Sequence, residues 1–440
     1  MSDNSNSCQV PADLPSGWLR KPLAALLEVS IGGVWGSPPG DLDVDVCVVR
    51  VTELKAHGVV DHATAVRRSV TRKQLQSRAL QVGDLILEKS GGGPTTPVGR
   101  VGYISEVAGD FICSNFMQLM RPNSAEIAPR FLHLYLNHVH DCGGTVALQT
   151  STTNIRNIKS TDYFDLSVSV PPLEEQRVIV DVLEGQFSFL DAVLESVRRS
   201  RVEALRLRRA LLRDAFSGVL THPDLPPGET PEGWSCRPLA AVSELVRGVT
   251  YKRSQAVDHP ADGFVPLVRA TNIEVDQLLL NEFVYVPASV VREDQYLQSG
   301  DIVLAVSSGS SSVVGKSAMV REIGATTFGA FCGVLRPSTE LLADFLRFVV
   351  QSPGIREMWS EAARGTNINN LKRDQIISTE IVIPPLEEQH EIVELLEREL
   401  GLLDLAMKAA DRIEIQAKSL RRSLLHSAFN GELTREWRDS

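Results

Sequence analysis

The sequence predicts an α+β protein: two mixed α/β domains joined by two long helices that pack against each other as a coiled coil, in an internal pseudo-two-fold repeat. Three observations lead there. The stretch beginning Pro171-Pro172-Leu173-Glu174-Glu175-Gln176 returns as Pro384-Pro385-Leu386-Glu387-Glu388-Gln389, and the two run in register through Thr221 and Thr434 with 24 of 51 positions identical. Unrelated segments of that length share on the order of 3. A weaker echo opens each unit, Pro15-Ser16-Gly17-Trp18 with Pro22-Leu23-Ala24-Ala25 against Pro231-Glu232-Gly233-Trp234 with Pro238-Leu239-Ala240-Ala241. Between opening and close, short apolar runs alternate with Gly/Asp/Pro clusters, the pattern of strands and turns.

Residues 1–17 form a polar lead-in. Over 18–170, Val46–Val51 and Leu85–Leu87 read as strands, Phe131–Val139 as a helix, and Phe164–Val170 alternates with strand period. Pro171-Pro172 stops that strand, and the acidic residues that follow suit the positive end of a helix dipole. From Glu174 to Ser217 no proline occurs; 44 residues make a helix of about 66 Å. The first long helix, within 171–220, carries an apolar stripe through Leu183, Phe187, Leu190, Leu194, Val197, Ala204, Leu205, Leu211 and Leu212. The second, within 384–433, carries Leu396, Leu400, Leu403, Ala410, Ala417, Leu420, Leu424 and Leu425. Spacings of three and four favour coiled-coil pairing. Residues 221–233, with four prolines, are a linker; 234–383 repeat the mixed domain; 434–440 are a charged tail.

A chain of 440 residues exceeds one ordinary core. Its 43% hydrophobic and 23% charged residues are ordinary for a soluble protein. The start, Met1–Cys8, lacks an apolar signal region, and no apolar run approaches the roughly 18 residues of a membrane span. The expected location is therefore cytoplasmic, without membrane contact. Six scattered cysteines (Cys8, Cys47, Cys113, Cys142, Cys236, Cys332) read as reduced thiols. A net charge of −10 counts against coating nucleic acid by bulk electrostatics but leaves room for local basic surfaces.

Motifs for chemistry are weak. Gly309 to Ser317 looks like a phosphate-binding loop but places five residues between its glycines, where the loop needs four for its N–H groups to converge. Asp45, Glu53 and Lys55 resemble a metal-dependent nuclease pattern, but the aligned second-unit residues Asn272-Ile273-Glu274 do not keep it. His138-Val139-His140-Asp141-Cys142 has metal-binding residue types, and its counterpart around Ser352-Pro353-Gly354 has none. The expectation is no catalytic residue, no metal and no cofactor on this chain. A self-contained nuclease or NTPase, and a coiled-coil adaptor with no role at DNA, are the rivals.

The anchors shared by the domains say more. Leu80-Gln81-Val82-Gly83-Asp84-Leu85-Ile86-Leu87 matches Leu297-Gln298-Ser299-Gly300-Asp301-Ile302-Val303-Leu304, a turn feeding a buried strand. Val48-Val49-Arg50-Val51 matches Leu267-Val268-Arg269-Ala270. Thr153-Asn154-Ile155-Arg156-Asn157-Ile158-Lys159 matches Thr366-Asn367-Ile368-Asn369-Asn370-Leu371-Lys372, followed by Arg373. Asn suits the edge of adenine, Arg that of guanine, and Lys reaches phosphate. Candidate DNA contacts are Arg50, Arg100, Asn154, Arg156, Lys159, Arg269, Lys316, Asn367, Asn369, Lys372 and Arg373. Seven arginines between Arg198 and Arg213 read as a solvated face of the coil, or as a place for a partner or for DNA.

The duplicated Pro-Pro-Leu-Glu-Glu-Gln at a strand-to-helix junction, the Gly-Asp strand and Val265-Pro266-Leu267-Val268-Arg269-Ala270-Thr271-Asn272-Ile273 together resemble the DNA specificity (S) subunits of type I restriction–modification systems, over essentially the whole chain. The first domain departs most, since Asp41–Leu54 matches Val265–Ile273 poorly. The resemblance implies two target-recognition domains, each reading one half of a split sequence in double-stranded DNA. It implies an antiparallel coiled coil that holds them apart and docks two modification subunits, with Leu183, Leu190, Leu194, Val197, Leu211, Leu396, Leu403, Leu420 and Leu424 as coil or docking positions. S-adenosylmethionine, ATP and Mg²⁺ would then belong to the partners: two modification subunits for adenine methylation and, where the system has them, two restriction subunits for cleavage. Members of this family are often not basic overall.

Overall fold

The first strand of each domain is tied to its last. In this computed structural model, which describes residues 14–93, 96–152, 155–274, 277–310, 313–364 and 369–440, Leu19–Pro22 pairs antiparallel with Ser167–Val170, and Ser235–Pro238 with Glu380–Ile383. The chain forms two compact units, Met1–Val197 with Arg412–Ser440, and Arg198–Asp411. The units thus divide within the long helices rather than at their ends, and each long helix gives one part to each unit.

Both units are built on one plan. In unit 1 an antiparallel sheet runs in the order Leu27–Gly32, Met117–Pro122, Leu85–Glu88, Val101–Tyr103; in unit 2 the order Ser243–Arg247, Cys332–Pro337, Ile302–Ala305, Ser317–Met319 is equivalent. Leu85–Glu88 and Ile302–Ala305 are buried at every position, which is why the sequence shows continuous apolar runs there instead of alternation. The shared Gly-Asp turn has a double purpose. Asp84 accepts from the Gln81 N–H (2.7 Å) and from two nitrogens of Arg121 on the neighbouring strand (2.7 Å each). Asp301 repeats this with Gln298 and Arg336 (2.8 Å each). A second sheet in each unit combines an antiparallel with a parallel pair: Val66–Val70, Val44–Val49, Phe111–Cys113, and Val284–Pro287, Phe264–Val268, Thr327–Phe328.

The helix expected over Phe131–Val139 spans Pro129–Asp141, with proline in its first turn. The alternating run at 164–170 splits: Ser160–Phe164 is helical, and only Ser167–Val170 is strand. Unit 2 places two helices, Ala343–Gln351 and Pro353–Ala362, where unit 1 has one helix followed by the turn at 142–148.

The long helices span Leu173–Ser217 and Leu386–Phe429. In unit 1 Asp191 meets Arg421 (2.9 Å); in unit 2 Arg201 meets Asp411 (2.5 Å) and Arg208 meets Asp404 (3.0 Å). In unit 2 the step from Arg201 to Arg208 is matched by an equal step back from Asp411 to Asp404. In unit 1 Glu175 meets Thr434, while Asp191 further on meets Arg421 further back, so the pairing within each unit is antiparallel. Leu183, Leu190 and Val197 are buried, with Leu194 and Leu424 packed against the same core; Leu396 is buried in unit 2, with Leu211 and Leu403 against it. Leu205 and Leu420 depart from the predicted stripe, since both point outward. At Leu420 the reason is local: Arg421 takes the inward place, its guanidinium 4.1 Å above the Phe187 ring while it pairs with Asp191.

The repeated Glu-Glu-Gln does more than start a helix. Glu174 and Glu387 face solvent, whereas the next two residues are structural connectors. Glu175, fully buried, accepts from Trp18 Nε1 (3.0 Å), Thr434 Oγ1 (2.6 Å) and Arg438. Glu388 accepts from Trp234 Nε1 (2.8 Å), Thr221 Oγ1 (2.7 Å) and His222 Nε2 (2.8 Å). Gln176 donates to Pro171 O and Glu126 O and accepts from Ala128 N–H; Gln389 does the same with Pro384, Glu340 and Leu342. The tail expected at 434–440 is a docked short helix, Arg435–Asp439, held through Arg438.

Candidate nucleic-acid interface

Each unit opens a cleft at the same point of the shared plan. Its floor is a close backbone approach: a Cβ on Gly33 would lie 2.1 Å from Ser114 O, and one on Gly248 2.1 Å from Gly329 O, so only glycine fits either site. One wall is the arginine that follows the middle strand of the second sheet; the other is a two-residue turn. In unit 2 the cleft holds about 1030 Å³ and is lined by Thr250, Tyr251, Arg269, Ser307, Ala330 and Phe331 among others. In unit 1 it holds about 360 Å³, lined by Trp35, Arg50, Val51, Thr52, Ser114, Asn115 and Phe116.

The two arginines have different occupations. The Arg50 side chain grips buried Glu53 with two nitrogens (2.6 and 3.1 Å) and also donates to Thr64 O (3.2 Å). Burial pushes the Glu53 carboxyl up, but hydrogen bonds from the Arg50 side chain and backbone, Thr52 and Thr64 outweigh it and hold the group below the ordinary range. In unit 2 Asn272 stands in place of Glu53 and takes only the Arg269 backbone N–H (2.9 Å). The Arg269 guanidinium has no ion pair among the described residues, and its Nε is withdrawn from water without a partner.

The remaining candidates fall into two groups. Arg100 pairs with buried Glu88 (2.7 and 3.1 Å), a hydrogen bond that raises the arginine above its usual value, and it also reaches Leu54 O (3.1 Å). Arg156, on the strand Ile155–Ile158, donates to Gly93 O (3.1 Å), and Lys159 lies 3.8 Å from Asp162. Lys316 lies 3.7 Å from Glu274. Asn369 reaches Gly309 O (3.4 Å) from a short strand beside Ser307–Ser308. Lys372 and Arg373 line a second opening of about 320 Å³ that shares Thr250, Ala330 and Cys332 with the larger cleft. Lys372 is exposed, and Arg373 donates to Leu245 O (2.7 Å). Arg269, Lys372 and Arg373 therefore belong to one continuous surface in unit 2, while Lys316 has its own carboxylate neighbour. Asn154 and Asn367 lie outside the described residues.

Sequence reasoning missed Phe116 and Phe331. They occupy equivalent turn positions and are 45% and 65% exposed. An aromatic residue where a turn favours small polar ones was the available signal. The residues of the nuclease-like pattern have separate partners: Glu53 pairs with Arg50, Asp45 takes Gly40 N–H, and Lys55 donates to Thr52 O. His140 meets Thr145 Oγ1, and no group of three potential metal ligands occurs among the described residues. No helix among them is long and apolar enough to cross a membrane.

Residues 73–193 and 231–414 match the family model for the type I restriction modification DNA specificity domain. That is well over half of the chain, and the protein belongs to this family. It is 41% identical over 212 residues to the type I restriction enzyme EcoKI specificity subunit of Escherichia coli K12, a match spanning 48% of this chain and 46% of that relative, so about half its length. The fold is similar to a chain from a structural study of complex assembly and conformational transition in the type I restriction–modification system (TM-score 0.70, 18% identity, 96% of this chain and 100% of that one). It is also similar to the HsdS subunit of Thermoanaerobacter tengcongensis (TM-score 0.60, 20% identity, 96% and 99%).

Proposed function

We propose that this chain is a non-catalytic specificity subunit that reads double-stranded DNA as two half-sites, one per unit. The observation that carries this reading is the contrast between a duplicated scaffold and unduplicated clefts. Sheet order, Gly-Asp turn and helix junction recur in both units, yet the clefts differ in size, in aromatic lining and in whether the arginine is occupied. A frame kept twice with two different surfaces suits one partner bound twice and two sequences read once each. In unit 2, Arg269 can donate two hydrogen bonds to a guanine edge, Lys372 reaches phosphate, and Phe331 offers an apolar surface to a thymine methyl or a base step. In unit 1, Phe116 and Trp35 carry more of the reading because Arg50 is held by Glu53.

Two modification subunits would dock on the long helices. Apolar side chains face outward at duplicated positions there: Phe189 with Leu402, Val202 with Ile415, and Leu207 with Leu420, the last two both 48% exposed. Solvent-facing apolar residues that recur at the same repeat position have a reason to be kept if the same partner covers them twice. S-adenosylmethionine and methyl transfer to adenine would reside on those subunits, and ATP and Mg²⁺ on restriction subunits, with the complex acting in the cytoplasm.

The test is binding of duplexes that vary one half-site at a time. Arg269→Ala is expected to lower discrimination in one half by about 1–3 kcal/mol per lost base contact and to leave the other half unchanged. Equal weakening of both halves would make Arg269 a positioning residue and contradict this assignment.

A further inference from the structure

The arginine run on the first long helix is only partly used by the coil. Arg208 pairs with Asp404, the equivalent of the Asp191–Arg421 pair in unit 1. Arg209 is exposed and makes no ion pair among the described residues. It lines a cavity of about 380 Å³ together with Arg208, Arg356, Arg364, Glu357 and Glu361. Arg356 and Arg364 come from the helix Pro353–Ala362 and the residues just after it, an element with no counterpart in unit 1. Neither guanidinium has a carboxylate or hydrogen-bond partner among the described residues. The Arg356 side chain packs where a Cβ on Gly315 would meet it at 2.6 Å, and its Nη1 is closed off from water. Burial lowers the affinity of Arg356 for its proton, so the cation is held at a cost that no neighbour offsets.

We infer that this cavity is a phosphate-binding site of unit 2 and that it takes a phosphodiester of duplex DNA. The inference rests on the DNA-reading proposal above. Three guanidiniums without partners against two carboxylates leave one net positive charge, the complement of a singly charged phosphodiester. Arginine supplies planar donor forks that match phosphate oxygens. A contact of this kind fixes position and carries no sequence information.

The experiment uses the full-length chain, a labelled duplex and a salt series. Arg209→Ala with Arg364→Ala, both at exposed positions, is expected to make the log–log salt dependence shallower by about one and to weaken every duplex sequence equally. Arg356→Met is expected to do the same without lowering the unfolding temperature, because it removes a desolvated, unpaired cation. A free-phosphate arm separates sources: wild type is heated with and without inorganic phosphate. A rise in unfolding temperature that Arg356→Met abolishes, with an unchanged DNA salt slope, would keep the phosphate site but assign it to a free anion and overturn the DNA contact. No thermal shift and an unchanged slope would overturn the site altogether. Failure of the DNA-reading proposal looks different: wild type itself would then show no sequence-dependent binding.

Discussion

At the scale of single residues, equivalent positions have taken up unlike work, and variants separate the roles. Arg50→Ala uncovers a buried carboxylate and is expected to cost about 2–3 kcal/mol of stability in urea unfolding. Arg269→Ala has no such partner to strand and is expected to leave stability within about 0.5 kcal/mol while DNA discrimination falls. A second residue-scale expectation concerns acid. His133 is fully buried, its Nε2 3.1 Å from Val101 O and its Nδ1 3.2 Å from Arg130. Burial, aided by the nearby Arg130 charge, pushes its pKa from 6.5 down to about 3. A folded value below the unfolded one means stability that is present above pH 6.5 and lost as the pH falls toward 3. Between about pH 7.5 and 5 this group removes about 2 kcal/mol, and His133→Gln is expected to flatten that part of the urea-stability profile. The arginines were legible in the sequence as residue types, but their occupation was not. Whether a guanidinium is free depends on Glu53 or Asn272 three positions on and on what the fold brings beside it.

At the scale of elements, the long helices and the buried strands were readable because their signals are local: absence of proline, periodic leucines, continuous apolar runs. The junctions were less so. Glu175 and Gln176 read as ordinary first-turn residues, yet their partners Trp18, Glu126, Ala128 and Thr434 are distant in sequence. Glu175→Ala is expected to cost about 3 kcal/mol, since it leaves the buried Trp18 N–H, the Thr434 hydroxyl and Arg438 without their acceptor. The stripe shows the limit of pattern reading in the other direction. Leu420 fits the heptad spacing, but a cation stacked on Phe187 displaced it outward. Calorimetry of Leu183→Ala and Leu420→Ala separates the two positions: about 2–5 kcal/mol for the buried leucine, and within about 0.5 kcal/mol for the exposed one.

For the whole molecule, the central claim is that two reading surfaces act independently on one duplicated frame. The overall charge of −10 fits this division, because binding then rests on local groups such as Arg209, Arg269, Lys372 and Arg373 and on partner subunits. Exchange of residues 18–170 for the corresponding segment of a relative is expected to change one half of the recognised sequence and preserve the other. The most direct measurement is a map of methylated adenines across the source genome with this gene present and deleted. The account predicts that deletion removes one motif made of two short fixed halves around an unspecified gap, and that the segment exchange rewrites only one half. An unchanged methylation pattern in an actively methylating strain, or a lost motif with a single uninterrupted core, would contradict it.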